Sequence, residues 1–252
     1  MAVRPRARVW AVLLMIDFAS WAIAPLEQSW APVVGNRRFA VGRIWCVGRN
    51  YADHSREMGS DPEREPPFFF AKPADSLVPN GGTLAFPAQT RDFHHEVELA
   101  VAIGTDGRNL SPDAALSHIY GYAVALDMTR RDLQAQAKRD ARPWEMAKAF
   151  DESCPIGQIV PASDVGALRA GAIELRVNGR LRQSGDLADM IWSAAECISV
   201  LSASVTVRRG DLILTGTPAG VGPVQPEDWL EASIEGLPGL SVAYVEEACL
   251  PC

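Results

Sequence analysis

Cysteine is scarce, positive charge is in deficit, and no apolar run is long enough to cross a bilayer. The five cysteines of this 252-residue chain are Cys46, Cys154, Cys197, Cys249 and Cys252. They are odd in number and too sparse for a disulfide framework, so a reducing cytoplasm is the expected compartment. The terminal pair forms a C-x-x-C, "CLPC", but neither a second pair nor a helix accompanies it, which argues against a zinc or redox role. With 24 Lys and Arg against 31 Asp and Glu, the net charge is −7. No basic run overrides that balance, which argues against nucleic acid as a partner. A small anion remains compatible, provided that Arg, Lys or a metal gathers locally around it. Internal repeats and low-complexity segments are absent as well.

The first residues, "MAVRPRARVWAVLLMIDFASWAIA", combine three arginines with a short apolar stretch, as the start of an export signal does. Asp17 interrupts that stretch, which is also too short for a membrane span. A retained or spurious extension, with Met15 as an alternative start, is therefore favoured over export. Residues 1–42 are set apart from a single domain over residues 43–252.

What is present is strand after strand. Hydrophobic residues make up 48% and charged residues 22% of the chain, enough for a sizeable core in a water-exposed protein. Short apolar runs end in Gly, Pro and Asn or Asp turns: "RIWCVG" (43–48), "PFFFAKP" (67–73), "EVELAVAIG" (96–104), "YGYAVALDM" (120–128), "IELRVNG" (173–179) and "DLILTGTP" (211–218). The Asn-Gly pair of "VNGRLRQSG" predicts a hairpin, and "EGLPG" a turn in the closing hairpin over 230–246. Helical spacing is confined to about 111–117, about 130–140 and 187–205. The pattern is that of a mixed, β-rich fold rather than alternating βαβ units.

One strand carries an anomaly. In "FHHEVELAVAIG", Val97, Leu99, Val101 and Ile103 alternate as in a half-buried strand, while Glu96 and Glu98 fall in the opposite phase. Side chains at i and i+2 share a face, so both carboxylates point the same way, about 7 Å apart along the chain. Like charges this close raise each other's pKa unless something positive intervenes. Asp127, at the end of "YGYAVALDM", offers a third carboxylate. Three oxygen donors suit Mg²⁺ or Mn²⁺ better than zinc; the alternative is the solvated face of an edge strand. His94 shares the glutamate face and His95 does not, and no H-E-x-x-H spacing exists, so His94 is expected to be structural or to support the ligands.

Further groups suit acid–base and anion chemistry. If "CVGRNYADHSREMGS" turns helical after Asn50, His54 and Glu57 share a face at i, i+3, as a base and its orienting carboxylate would. A solvated surface pair is the alternative, and the charged, Pro-rich "SDPEREPP" after it has the composition of a mobile loop. Arg131 and Gln134 share a helical face. Lys148 lies in an apolar neighbourhood, where a lysine needs an anionic partner. The turn "LTGTPAGVG" lacks the lysine of a P-loop; it offers Thr215, Thr217 and backbone N–H groups to an anion, or is an ordinary hairpin turn.

Seven segments in this order, "CVGRNYADHSREMG", "FFFAKP", "HHEVELAVAIG", "GYAVALDMTRRDLQ", "PWEMAKAFDESCP", "VNGRLRQ" and "GDLILTGTPAGVGPV", resemble the fumarylacetoacetate hydrolase family, in particular its acylpyruvase and fumarylpyruvate-hydrolase-like branch. The resemblance spans about residues 43 to 245. It implies a β-sandwich roll with a few short helices, usually a homodimer. It also implies Mg²⁺, with Mn²⁺ as the alternative, on Glu96, Glu98 and Asp127. His54, Glu57 and Lys148 take the catalytic positions, and Arg131, Gln134 and Thr217 the substrate-binding ones. The implied activity is metal-dependent hydrolysis of the C–C bond of an acylpyruvate, a small 2-oxo acid, giving pyruvate and a carboxylic acid. Oxaloacetate decarboxylation, and tautomerisation of oxaloacetate or a 2-hydroxymuconate-type acid, are the alternatives, because they share the enolate. A non-catalytic metal-holding scaffold would need none of the acid–base groups.

Overall fold

A computed structural model describes residues 22–57 and 65–246. The arginine-rich start, most of the "SDPEREPP" loop and the terminal "CLPC" lie outside the described residues. The centre is an eight-stranded sheet. Its main path runs Phe68–Lys72, Arg43–Gly48, Asp211–Leu214, Val97–Ile103, Ile119–Leu126, Cys154–Ile156 and Leu77–Pro79, with Val160–Pro161 paired to Ile119–Leu126 off that path. Arg43–Gly48 runs parallel to Asp211–Leu214 and Cys154–Ile156 parallel to Leu77–Pro79; the other pairs are antiparallel. A five-stranded sheet (Arg180–Asp186, Ala172–Val177, Trp229–Ile234, Leu240–Val245, Gly82–Ala85) packs against one face, which makes the fold a sandwich.

Period-two alternation decides which side chains face which layer. Leu99, Val101 and Ile103 join Ile173, Leu175, Leu230 and Val242 of the second sheet in one core. Ala100, Ala102, Ala123 and Ala125 point the other way, into a second core with Ile44, Leu212, Ala31 and Val33. Val97–Ile103 is consequently buried along its whole length, not half-buried as the alternation predicts. Its position inside the sheet explains the difference, since both of its faces are covered.

The second core is closed by a hairpin, Trp30–Val33 with Arg37–Ala40. Val34 N–H donates to the Ile159 carbonyl (3.1 Å), Ile159 N–H to Pro32 (2.8 Å) and Gly42 N–H to Gly210 (2.9 Å). Part of the segment set apart as residues 1–42 is therefore built into the domain, because the apolar face of the sheet needs that cover.

Local chemistry accounts for most turns. Asn178 and Gly179 both have positive φ (51° and 73°), as a two-residue I′ hairpin between Ala172–Val177 and Arg180–Asp186 requires. The continuous helix expected over 187–205 is instead a single 3₁₀ turn, Leu187–Asp189, and a helix, Ala194–Ser204. The break has a cause: Asn50 takes the intervening backbone. Its carbonyl accepts from Ile191 N–H (2.8 Å), and its side chain both accepts from and donates to the Trp192 backbone (2.8 Å each). The helix then restarts on a Ser193–Glu196 capping box.

Candidate active site and metal centre

The ladder register assembles the acidic cluster. Val97 pairs with Leu126 and Glu98 with Ala125, and Asp127 N–H donates to the Glu96 carbonyl (2.9 Å). Glu96, Glu98 and Asp127 are all buried, and one oxygen from each lies within 4.8 Å of the others. Around one octahedral ion with bonds of about 2.0–2.1 Å, donor oxygens sit about 3 Å apart when adjacent and about 4 Å when opposite. The cluster therefore fits a single hard cation with a small contraction.

The three carboxylates are not neutralised equally. Glu96 receives Arg131 Nη2 (2.5 Å) on Oε1 and Lys148 Nζ (2.8 Å) on Oε2. Burial alone would raise its pKa, but the charges of Lys148 and Arg131 prevail and hold its carboxyl well below the usual range. Lys148 also donates to Asp127 Oδ2 (2.7 Å). Burial pulls Lys148 down, yet Asp127 and Glu96 outweigh it, so the ammonium is held charged. Asp127 Oδ1 lies 3.0 Å from Lys72 Nζ, but the protons of Lys72 go to the carbonyls of Met128 (3.1 Å), Lys148 (2.5 Å) and Ser153 (3.0 Å). That oxygen faces a cation and receives no hydrogen bond. Glu98 forms no ion pair among the described residues; its Oε2 accepts only the Gly216 N–H (2.6 Å). Burial, then the charges of Asp127 and Glu96, push its pKa well above the usual range. A buried carboxylate short of positive charge beside an acceptor without a proton is a donor set that a divalent cation would complete.

The remaining residues singled out from the sequence converge here. His54, Arg131, Gln134, Lys148 and Thr217 line one cleft with the three carboxylates, and Phe68, Phe70 and Trp144 stand in its wall; Glu57, His94 and Thr215 lie outside that lining. His54 and Glu57 do share a helix, Ala52–Glu57, with His54 Nδ1 3.4 Å from Glu57 Oε2. Glu57 is held in turn by Gly220 N–H (3.1 Å). Burial lowers the His54 pKa more than Glu96 and Glu57 raise it, so the ring is neutral at neutral pH. Arg131 Nη1 donates to Gln134 Oε1 (2.7 Å) and Nε to His94 Nδ1 (3.3 Å). His94 must then carry its proton on Nε2, which donates to Asp92 (2.8 Å): it orients Arg131 rather than ligating.

Thr217 and its turn serve a different anion from the one expected. The Thr217 hydroxyl donates to the Val97 carbonyl (2.8 Å) and accepts from Gln183 Nε2 (2.7 Å), so it has no proton for a ligand. Thr215 Oγ1 donates to Leu99 (3.1 Å). The N–H that the turn presents, at Gly216, binds Glu98 itself. Gly216 has φ +94°, and a Cβ there would lie 2.8 Å from that of Asn50. Sequence reasoning missed Lys72 and Gln183. The lysine in "FFFAKP" carried the same signal as Lys148, a cation inside an apolar run, whereas a glutamine on a strand carries none.

A buried carboxylate cluster beside a His–Glu pair and a charged lysine, in an aromatic-walled cleft, defines the class: an enzyme site suited to a divalent cation and a small anion. Comparison with known proteins agrees. The family profile described as "Fumarylacetoacetate (FAA) hydrolase C-terminal" matches residues 43–243. The mitochondrial oxaloacetate tautomerase of Homo sapiens is 46% identical over 194 residues, covering 77% of this chain and 87% of that protein. The mitochondrial oxaloacetate decarboxylase of Dictyostelium discoideum is 41% identical over 204 residues, covering 80% and 93%. The crystal structure of fumarylpyruvate hydrolase from Pseudomonas aeruginosa in complex with Mn²⁺ and pyruvate superposes with a TM-score of 0.88 at 50% identity, covering 90% of this chain and all of that one. The chain belongs to the fumarylacetoacetate hydrolase family, and its β-rich sandwich with few helices is the fold of that family.

Proposed function

We propose that this chain is a tautomerase of oxaloacetate-type 2-oxo acids, moving a proton between C3 and the 2-oxo oxygen. The observation that carries the reading is His54, a buried neutral base tied to Glu57 in the same cleft as the carboxylate cluster and Lys148. The name of the Homo sapiens relative supports the substrate. Bound at Glu96, Glu98 and Asp127, a divalent cation (Mg²⁺, or the Mn²⁺ of the Pseudomonas neighbour) would anchor the substrate carboxylate and polarise the 2-oxo group.

The chain's own groups do the rest. His54 takes the C3 proton, and the Glu57 carboxylate stabilises the imidazolium through Nδ1–H. Lys148, held charged beside Asp127 and Glu96, places positive charge where the enolate develops. Arg131, braced by Gln134 and His94, presents its guanidinium to the same side as Glu96. Return of the proton from His54 completes the cycle with no net change in protons.

Hydrolysis of an acylpyruvate-type acid, the reading placed first from the sequence, is kept second on the strength of the Pseudomonas structure. There His54 would deprotonate a water instead of C3, and the enolate of pyruvate would leave. Decarboxylation of oxaloacetate yields that same enolate. A homodimer and a cytoplasmic location remain proposals; the matched relatives include mitochondrial proteins, and no helix among the described residues is long and apolar enough to cross a membrane.

The test follows oxaloacetate, fumarylpyruvate and acetylpyruvate with Mn²⁺ or Mg²⁺, with and without EDTA, against metal-only blanks. Faster collapse of the oxaloacetate enol absorbance without pyruvate is the expected result. EDTA-sensitive pyruvate from a dioxo acid would instead establish hydrolysis, and from oxaloacetate alone, decarboxylation.

A further inference from the structure

The mouth of the cleft holds two cations that the proposed chemistry does not use. Arg49 and Lys138 both line it. Arg49 Cζ lies 5.7 Å from the centre of the Phe68 ring, and Lys138 Nζ 5.3 Å from that of Trp144. The two rings meet edge-on with centroids 5.5 Å apart. The cations thus flank a single aromatic pair.

Their placement goes against local preference. Arg49 has φ +59°, a conformation that side-chain-bearing residues rarely adopt. Both of its chain neighbours are held in place. A Cβ on Gly48 would lie 2.0 Å from Phe68, so the ring occupies the space of a side chain there. Asn50 is fixed by Trp192 and by the Thr215 carbonyl, to which its Nδ2 donates (2.7 Å). Lys138 forms no ion pair among the described residues. Burial, more than the charges of Arg131 and Arg49, lowers its pKa. A carboxylate placed between two such side chains would be attracted by both.

We infer that Arg49 and Lys138, set on the Phe68–Trp144 pair, form a second anion subsite that takes the distal carboxylate of a dicarboxylic 2-oxo acid. The inference rests on the proposed function in one respect: the first carboxylate and the 2-oxo group are taken to sit at the acidic cluster. It narrows the substrate class. Oxaloacetate and fumarylpyruvate carry the second charge, and acetylpyruvate does not.

Binding of unreactive acids tests this without turnover. Pyruvate, 2-oxoglutarate and 2-oxoadipate are titrated calorimetrically into Mn²⁺-saturated enzyme, as wild type, Arg49→Gly and Lys138→Met. Glycine suits the positive φ, and methionine keeps the length of the lysine stem. The wild type should bind at least one dicarboxylate more tightly than pyruvate. Each variant should weaken that binding about five-fold, as expected for one partly screened charge contact, and leave pyruvate unchanged. Added salt should shrink the difference. Equal losses for pyruvate and the dicarboxylates, or no preference in the wild type, would overturn the subsite. Should Arg49→Gly not fold, Lys138→Met, at an exposed helix position, decides alone. Failure of the tautomerase reading would appear in the enol assay and leave the binding result intact.

Discussion

Replacing Lys72 by Met removes one charge from the interior and leaves the shape nearly unchanged. Lys72 is 2% exposed. Its ammonium serves the carbonyls of Met128, Lys148 and Ser153, and stands 3.0 Å from Asp127 Oδ1. These carbonyls lie in the segments that carry Asp127 and Lys148 to the cleft, so Lys72 ties the loops behind the site together. Removing one partner of a buried charge pair costs about 3–5 kcal/mol, because the remaining charge is left uncompensated. With a urea slope of about 3 kcal/mol/M for a chain of this size, the unfolding midpoint should fall by about 1–2 M. The assay is urea unfolding followed by tryptophan fluorescence, in EDTA. Saturating Mn²⁺ should recover part of the loss, since a cation at the cluster would neutralise Asp127. A midpoint within about 0.3 M of the wild type would correspond to less than about 1 kcal/mol and would refute the structural role of Lys72.

His54→Gln should lower turnover about 10²–10⁴-fold while Mn²⁺ affinity, followed by calorimetry, stays unchanged; unaltered turnover would remove His54 from the chemistry. The acid limb of the pH–rate profile should fall below the ordinary imidazole range, because burial lowers the His54 pKa and the base works only when neutral. Glu98→Gln should raise the melting temperature in EDTA and abolish the metal-induced increase. The raised pKa of Glu98 means that its charge opposes folding increasingly as pH rises, so the gain should be largest at alkaline pH. His95 is buried on Gln183 (2.9 Å), with its pKa lowered to about 4, chiefly by burial. Its contribution to stability is complete above the unfolded value of about 6.5 and is lost as pH falls towards 4. That amounts to about 3 kcal/mol, and His95→Gln should flatten this part of the stability profile.

Much of the site could be read from residue spacing. Side chains two apart on a strand share a face, so Glu96 and Glu98 had to point together wherever that strand lay. His54 with Glu57, and Arg131 with Gln134, needed only a helical turn. Lys148 announced itself by being charged in an apolar run, and Asn178–Gly179 by the conformation that only such pairs adopt easily. The helix expected across 187–205 was misread for the opposite reason: its periodicity is real, but Asn50, some 140 residues away in sequence, claims the Ile191 and Trp192 backbone.

Local patterns in the chain thus determined the elements and the donor types, because φ/ψ preference and side-chain periodicity act over a few residues. Only the tertiary structure decided which donors meet. Ladder register set Asp127 beside Glu96, the sandwich turned a half-polar strand into a buried one, and the 214–222 turn gave its N–H to Glu98 rather than to a ligand. The physical reason is that burial makes each charge depend on its neighbours in space. Arg131 and Lys148 neutralise Glu96, Lys72 stands beside Asp127, and Glu98 is left without an ion pair among the described residues.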